Sequence, residues 1–358
     1  MENVVRLNVP FRQTSTAARQ AVLMQNFAEH RRTEDDVFWL KENAEFLNIL
    51  ECTGAATERA ALTVHDRFYD ELEMRMGFFP QYYRFLLSMC LDLEDIGMPG
   101  DKGAKLVEWT TRQGLVEAEL SDLQRAEARR LCLRRGVDPV VDPEALEARL
   151  RRFAGRSETF AMPNKKAAYE LTHIVFYLSE YGRKDPYVDD NMRESLLFAG
   201  TLAFLDFNAD LLAEICIALR FAGEAPPEVW DIWLRQQLSL FSQDADEAGS
   251  VADDYHEFLM LNWYMSMTEE DGFATQVPEG RVVFHRVRPQ SGPLRELSEC
   301  IYALGASRSG DWQAMRARVS DTLSHEAQAA LAAAEAATGR FDRFFHGFAR
   351  VGLTGVGA

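Results

Sequence analysis

Three short segments of this sequence set acids and histidines at helical spacing. The first is Glu170 with His173, three residues apart in Tyr169-Glu170-Leu171-Thr172-His173. On a helix, Glu-x-x-His aims a carboxylate and an imidazole at one point, as carboxylate-bridged dimetal bundles do. The second is Asp206, Asp210 and Glu214, each four residues after the last. Their neighbours Phe207, Leu211, Leu212, Ile215, Cys216 and Ile217 are apolar, and carboxylates buried among them need a cation, a set of donors or a metal. The third is Asp253-Asp254-Tyr255-His256-Glu257, where Asp253, His256 and Glu257 share one helical face.

Combined, these residues offer a nitrogen and oxygen donor set that suits Fe, Mn or Zn, whereas Mg prefers oxygen alone. The metal-ligand candidates are His173, Asp210, Glu214 and His256, with Tyr177 and Glu170 as the catalytic candidates beside them. Each has an ordinary structural reading as well. His256 can hydrogen-bond at an exposed helix, and His173 can sit in the core bonded to a neighbouring tyrosine. Asp210 and Glu214 can pair with an arginine such as Arg220 or Arg235.

The element that must position the first segment is a helix over Tyr169–Gly182. At about 100° per residue, Tyr169, Glu170, His173, Tyr177 and Glu180 fall in one arc, and Leu171, Ile174, Val175 and Leu178 fill the other sides. A stripe this rich in Tyr and His reads as a cavity wall. Gly182 supplies a left-handed stop and Pro186 blocks continuation. Around it, apolar periodicity predicts helices almost throughout: from Thr14 or Ser15 to about 30, from a Thr33 cap to 54, then 63–76, from 81 to 97, 102–113, 117–135 and 143–154. Further helices are expected at 189–207, 208–223, 227–243 and 250–268, one strand at 281–287, and two or three helices after it.

The fold class is therefore all-α: a multi-helix antiparallel array, an α/α toroid or helical-hairpin repeat, with one short β segment. The similar helix ends Leu91–Gly97 and Tyr177–Gly182 hint at repetition. The polar stretch 155–163 divides an N-terminal helical region, 1–155, from a C-terminal region, 164–358, that carries the candidate site.

The key helix resembles an uncharacterised group of bacterial helical proteins with a Tyr-x-Leu-Thr-His-x-x-Phe-Tyr motif followed by an acid, an aromatic and Gly. Here those are Tyr169, Leu171, Thr172, His173, Phe176, Tyr177, Glu180, Tyr181 and Gly182. Asp210-Leu211-Leu212-Ala213-Glu214 and Tyr255-His256 look similar too, although the group has Asp-Phe where this chain has Glu180-Tyr181. The likeness covers the middle third of the chain and implies no established activity.

Composition narrows the partners. The 358 residues carry a formal charge of −17, against the basic footprint that nucleic acid or an anionic membrane requires. Five scattered cysteines without a C-x-x-C pair predict free thiols in a reducing compartment. No apolar run is long enough to span a bilayer, and the expectation is a soluble, cytoplasmic protein. Two functional readings follow. One is a helical scaffold or accessory protein binding a protein or peptide partner in an aromatic-lined groove, with Trp230, Trp233, Trp263 and Tyr264 as its markers. The other is a metal-dependent enzyme with a His/carboxylate site in a helical pocket, acting on a small organic or peptide-derived substrate.

Overall fold

A computed structural model describes residues 13, 15–268, 271–288 and 292–351. Thr14, the alternative cap of the first helix, lies outside these residues. The described residues are predominantly helical, with one short two-stranded antiparallel sheet. In chain order the helices are α1 (Thr16–Gln25), α2 (Val37–Cys52), α3 (Arg59–Leu62), α4 (Asp66–Phe78), α5 (Tyr83–Asp95), α6 (Lys102–Arg112), α7 (Asp122–Leu133), α8 (Pro143–Ala154), α9 (Ser157–Phe160), α10 (Lys165–Leu178), α11 (Asp190–Leu205), α12 (Ala209–Phe221) and α13 (Glu228–Ser239). Strand β1 (Phe241–Ala245), α14 (Tyr255–Ser266) and β2 (Val282–Arg286) follow, and then α15 (Pro293–Ala303), α16 (Trp312–Ser320), α17 (His325–Ala337) and α18 (Phe341–Phe348).

The all-α expectation holds, and so does the strand near 281–287. Several local expectations do not: α10 runs Lys165–Leu178 and not Tyr169–Gly182, the helix expected over 117–135 begins at Asp122, and three more differ. Helix α2 starts at Val37, not after Thr33, because the Asp36 carboxylate accepts from the Phe38 amide at 2.8 Å and so takes the cap. The helix expected over 227–243 ends at Ser239, and Phe241–Ala245 instead pairs with β2. Helix α14 starts at Tyr255, which leaves Asp253 and Asp254 ahead of its first turn.

The chain forms two compact units. The first comprises Met1–Lys102, Ser242–Tyr255 and Met265–His285, and the second Gly103–Phe241, His256–Tyr264 and Arg286–Ala358. The polar stretch 155–163 lies inside the second unit, partly as α9.

In the first unit, α2 packs on α5, and Phe46, Leu47 and Leu50 of the one and Leu86, Leu87 and Cys90 of the other are all buried. After α1 the chain makes a π-helical turn, Asn26–His30, closed by the Arg31 amide on the Asn26 carbonyl. That turn delivers the Arg31 guanidinium between Glu42 and Asp253, at 2.9 and 2.8 Å.

The second unit is built on α10, α11 and α12, with α12 against both of the others. Helix α12 is buried from Ala209 to Leu219 except at Asp210. Close approach is fixed at Gly200, where a Cβ would lie 2.4 Å from the Trp230 ring, so only glycine fits beneath that indole.

Candidate functional site

Two helices of the second unit carry the site, and caps set both. Asn164 opens α10 by accepting from the Ala167 amide at 3.1 Å, and Asn208 opens α12 by accepting from Leu211 at 3.2 Å. Phe207, at φ 52°, makes the left-handed turn between α11 and that cap. Ala167, Ala168, Leu171, Ile174 and Val175 bury one side of α10, which turns Tyr169, Thr172 and His173 towards α12. A third helix, α14, brings His256.

The contacts are specific. His256 Nδ1 lies 2.7 Å from Asp210 Oδ1, and the Tyr169 hydroxyl donates to Asp210 Oδ2 at 2.6 Å. Thr172 Oγ1 is 2.6 Å from Glu214 Oε2 and 2.8 Å from the Tyr169 carbonyl oxygen, so its single proton serves one of them at a time. His173 Nδ1 lies 2.8 Å from the same carbonyl and 3.7 Å from Glu214 Oε2. A proton on Nδ1 satisfies that carbonyl and leaves Nε2 with its lone pair. Asp210, Glu214 and His256 each offer one ligand atom, and these three atoms all lie within 4.8 Å of one another.

Electrostatics sharpen the picture. Glu214 is 1% exposed. Burial pushes its carboxyl pKa up, and the nearby Asp210 charge pushes the same way against the pull of His173, His256 and the Thr172 hydroxyl. No lysine or arginine pairs with Glu214 among the described residues. Burial, followed by the Asp210 charge, also raises the Tyr169 phenol far above its ordinary range, which keeps it a neutral donor. The arginines that might have neutralised the pair are engaged elsewhere: Arg235 with Asp231 at 2.9 Å, and Arg220 on Tyr264 at 3.5 Å.

Of the sequence candidates, the geometry gathers Asp210, Glu214, His256 and His173. Tyr177 is buried with its ring edge-on to His173, centroids 5.9 Å apart, and Glu170 is half-buried with no hydrogen bond or ion pair among the described residues. Asp206 turns away to Lys165, at 2.7 Å. Glu257 pairs with Arg286 at 2.5 Å and Arg288 at 2.7 Å, and Asp253 belongs to the first unit. Thr172 is not among the sequence candidates, and Tyr169 stands on the expected cavity-wall stripe without a metal or catalytic role. The signal for Thr172 was a β-branched hydroxyl in mid-helix beside a histidine.

The groove markers are mostly core. Trp230 and Tyr264 are 0% exposed and Trp263 4%, while Trp233 is half-buried against Phe204 and Phe207. Trp263 packs with Phe176, Tyr181 and Phe221. All five cysteines are free thiols. No helix among the described residues is long and apolar enough to cross a membrane.

Fold and site together define an all-α protein with a His/carboxylate cluster in its second unit. The chain belongs to the family described as Domain of unknown function (DUF6902), whose model matches residues 1–351. No curated protein and no solved structure matches it.

Proposed function

We propose that the protein binds one divalent first-row transition metal, Fe, Mn or Zn, through Asp210, Glu214 and His256, with His173 beside them. One observation carries this reading: a buried carboxylate with no lysine or arginine paired to it among the described residues, whose ligand atom lies within 4.8 Å of those of an aspartate and a histidine. Such a metal supplies a Lewis acid or a redox centre. The residues around it have separable tasks. Tyr169 holds Asp210 by its second oxygen, Thr172 holds Glu214, and the Tyr169 carbonyl fixes the His173 ring.

A cavity of about 120 Å³ with mainly apolar walls is lined by Ala168, Asn208 and Leu211 but by none of His173, Asp210, Glu214 or His256. Metal analysis of protein purified without an affinity tag tests the reading. Close to one equivalent in wild type, and loss of it in Asp210→Asn and Glu214→Gln, is expected. Less than a tenth of an equivalent after incubation with each of the three metals would end it.

A partner-binding role draws support from a different place. In the first unit Val37, Leu40, Met74, Phe79, Tyr82 and Leu86 line a groove of about 370 Å³ rimmed by Glu34, Asp35, Asp36 and Glu71, and Phe78 is 76% exposed next to it. Loss of co-purifying protein in a Met74→Ser, Phe79→Ser variant is the result expected for that reading. An unchanged interaction profile would remove it.

A further inference from the structure

The C-terminal end of α10 carries a feature that the metal reading does not use. Glu180, Tyr181 and Gly182 have φ of 51°, 56° and 84°, so three successive residues occupy the left-handed region. This turn sets the Tyr181 ring against the Arg130 guanidinium, with Cζ 4.1 Å from the ring centroid. Arg130 is only 4% exposed, and neither its Nε nor its Nη2 has a hydrogen-bond partner among the described residues. A buried guanidinium with two unpaired nitrogens and no ion pair among the described residues is a costly state, and it calls for an occupant.

Arg130 lines a pocket of about 20 Å³ together with Leu146, Glu147, Tyr177, Glu180 and Lys184. The nearby acids are already committed. Glu147 and Asp138 both pair with Arg129 at 2.8 Å, and Glu180 pairs with Lys184 at 2.8 Å. The space is that of one water molecule. A water there would accept a hydrogen bond but leave the charge of Arg130 uncompensated, whereas a halide of similar size does both. We propose that Arg130 holds one chloride-sized monoanion between α7, α8 and α10. The anion would brace the end of the helix that carries Thr172 and His173, independently of any metal.

The test compares wild-type protein in sodium chloride with the same protein in sodium gluconate at equal ionic strength. The expected result is a melting temperature higher in chloride by about 2–4 °C, rising saturably with chloride concentration. Arg130→Met should lose that difference, and Lys184→Gln should keep it. Equal melting temperatures of wild type in the two salts, or an undiminished difference in Arg130→Met, would overturn the proposal and leave a water in the pocket. Should Arg130→Met fail to fold, chloride-35 line width on the wild type decides. Broadening that bromide reverses supports the site, and absence of broadening refutes it.

Discussion

Each unit of this protein holds a cluster of carboxylates drawn in from solvent, and these two clusters are neutralised in opposite ways. In the first, the Glu42 and Asp253 side chains are 1% and 0% exposed, and both grip Arg31, with Arg32 adding a second contact to Glu42 at 2.6 Å. The Arg31 guanidinium also donates to the Val282 carbonyl at 2.7 Å and lies over the rings of Phe27, Tyr255 and Phe284. In the second, Asp210 and Glu214 meet two imidazoles, a phenol and a hydroxyl. An arginine stays charged at every accessible pH, so the first cluster is a permanently closed knot. Imidazoles and neutral hydroxyls bring no permanent positive charge, so the second cluster lacks the fixed counter-ion that the first one has. Burial of an acid does not mark a site. The nature of its counter-charge does.

The comparison can be broken most directly at the arginine. Arg31→Met leaves Glu42 and Asp253 buried without their shared cation, and a loss of about 3–5 kcal/mol in denaturant unfolding is expected. A loss below about 1 kcal/mol, the range of an exposed pair, would show that water reaches these acids and that the two clusters differ less than the geometry indicates.

The histidines give the next largest effect. His65 is fully buried, hydrogen-bonded through Nε2 to Asn43 Oδ1 at 3.0 Å, and burial lowers its pKa to about 4. Its folded-state pKa lies below the unfolded one, so as pH falls below about 6.5 the unfolded chain takes up the proton first. Stability present above that pH should decline by up to about 3 kcal/mol as pH approaches 4. Unfolding midpoints across this window, in wild type and His65→Gln, measure it. A slope unchanged by the substitution would assign the decline to other groups.

Glu214→Gln should act with the opposite sign to Arg31→Met. The Glu214 pKa is raised in the folded state, so the protonated carboxyl favours folding, and that contribution is lost as pH rises through the folded pKa. In metal-free protein at pH 8, the glutamine variant should be more stable by about 1–2 kcal/mol, while metal binding is abolished. A destabilised metal-free variant would mean that the ionised Glu214 is well solvated.

Tyr169→Phe is the finest probe. Removing the donor to Asp210 should weaken metal affinity about tenfold, with little change in fold. Competition with a chelator measures it, and an unchanged affinity would separate Tyr169 from the site.

Much of this was legible in the residues themselves. Apolar periodicity and the stops at Gly54 and Gly182, at φ 65° and 84°, reflect backbone geometry that a few neighbouring residues dictate. They determined the helical class, whereas α10 itself starts and ends four residues before the expected Tyr169–Gly182. The four-residue step from Asp210 to Glu214 put both acids on one side of α12, because helical spacing is a local property. What lay beyond reach depended on partners distant in the chain. Strand β1 exists because β2, some forty residues later, supplies its hydrogen bonds, and its own Ser-Gln-Asp run gives no strand signal. Asp253 and His256 share a face only if a helix covers both, and α14 begins after Asp253, so Asp253 goes to Arg31 and His256 to Asp210. The choice of arginine for one acid pair and of histidine for the other was made by the tertiary structure, since spacing along a chain specifies directions within a helix but not which helix arrives opposite.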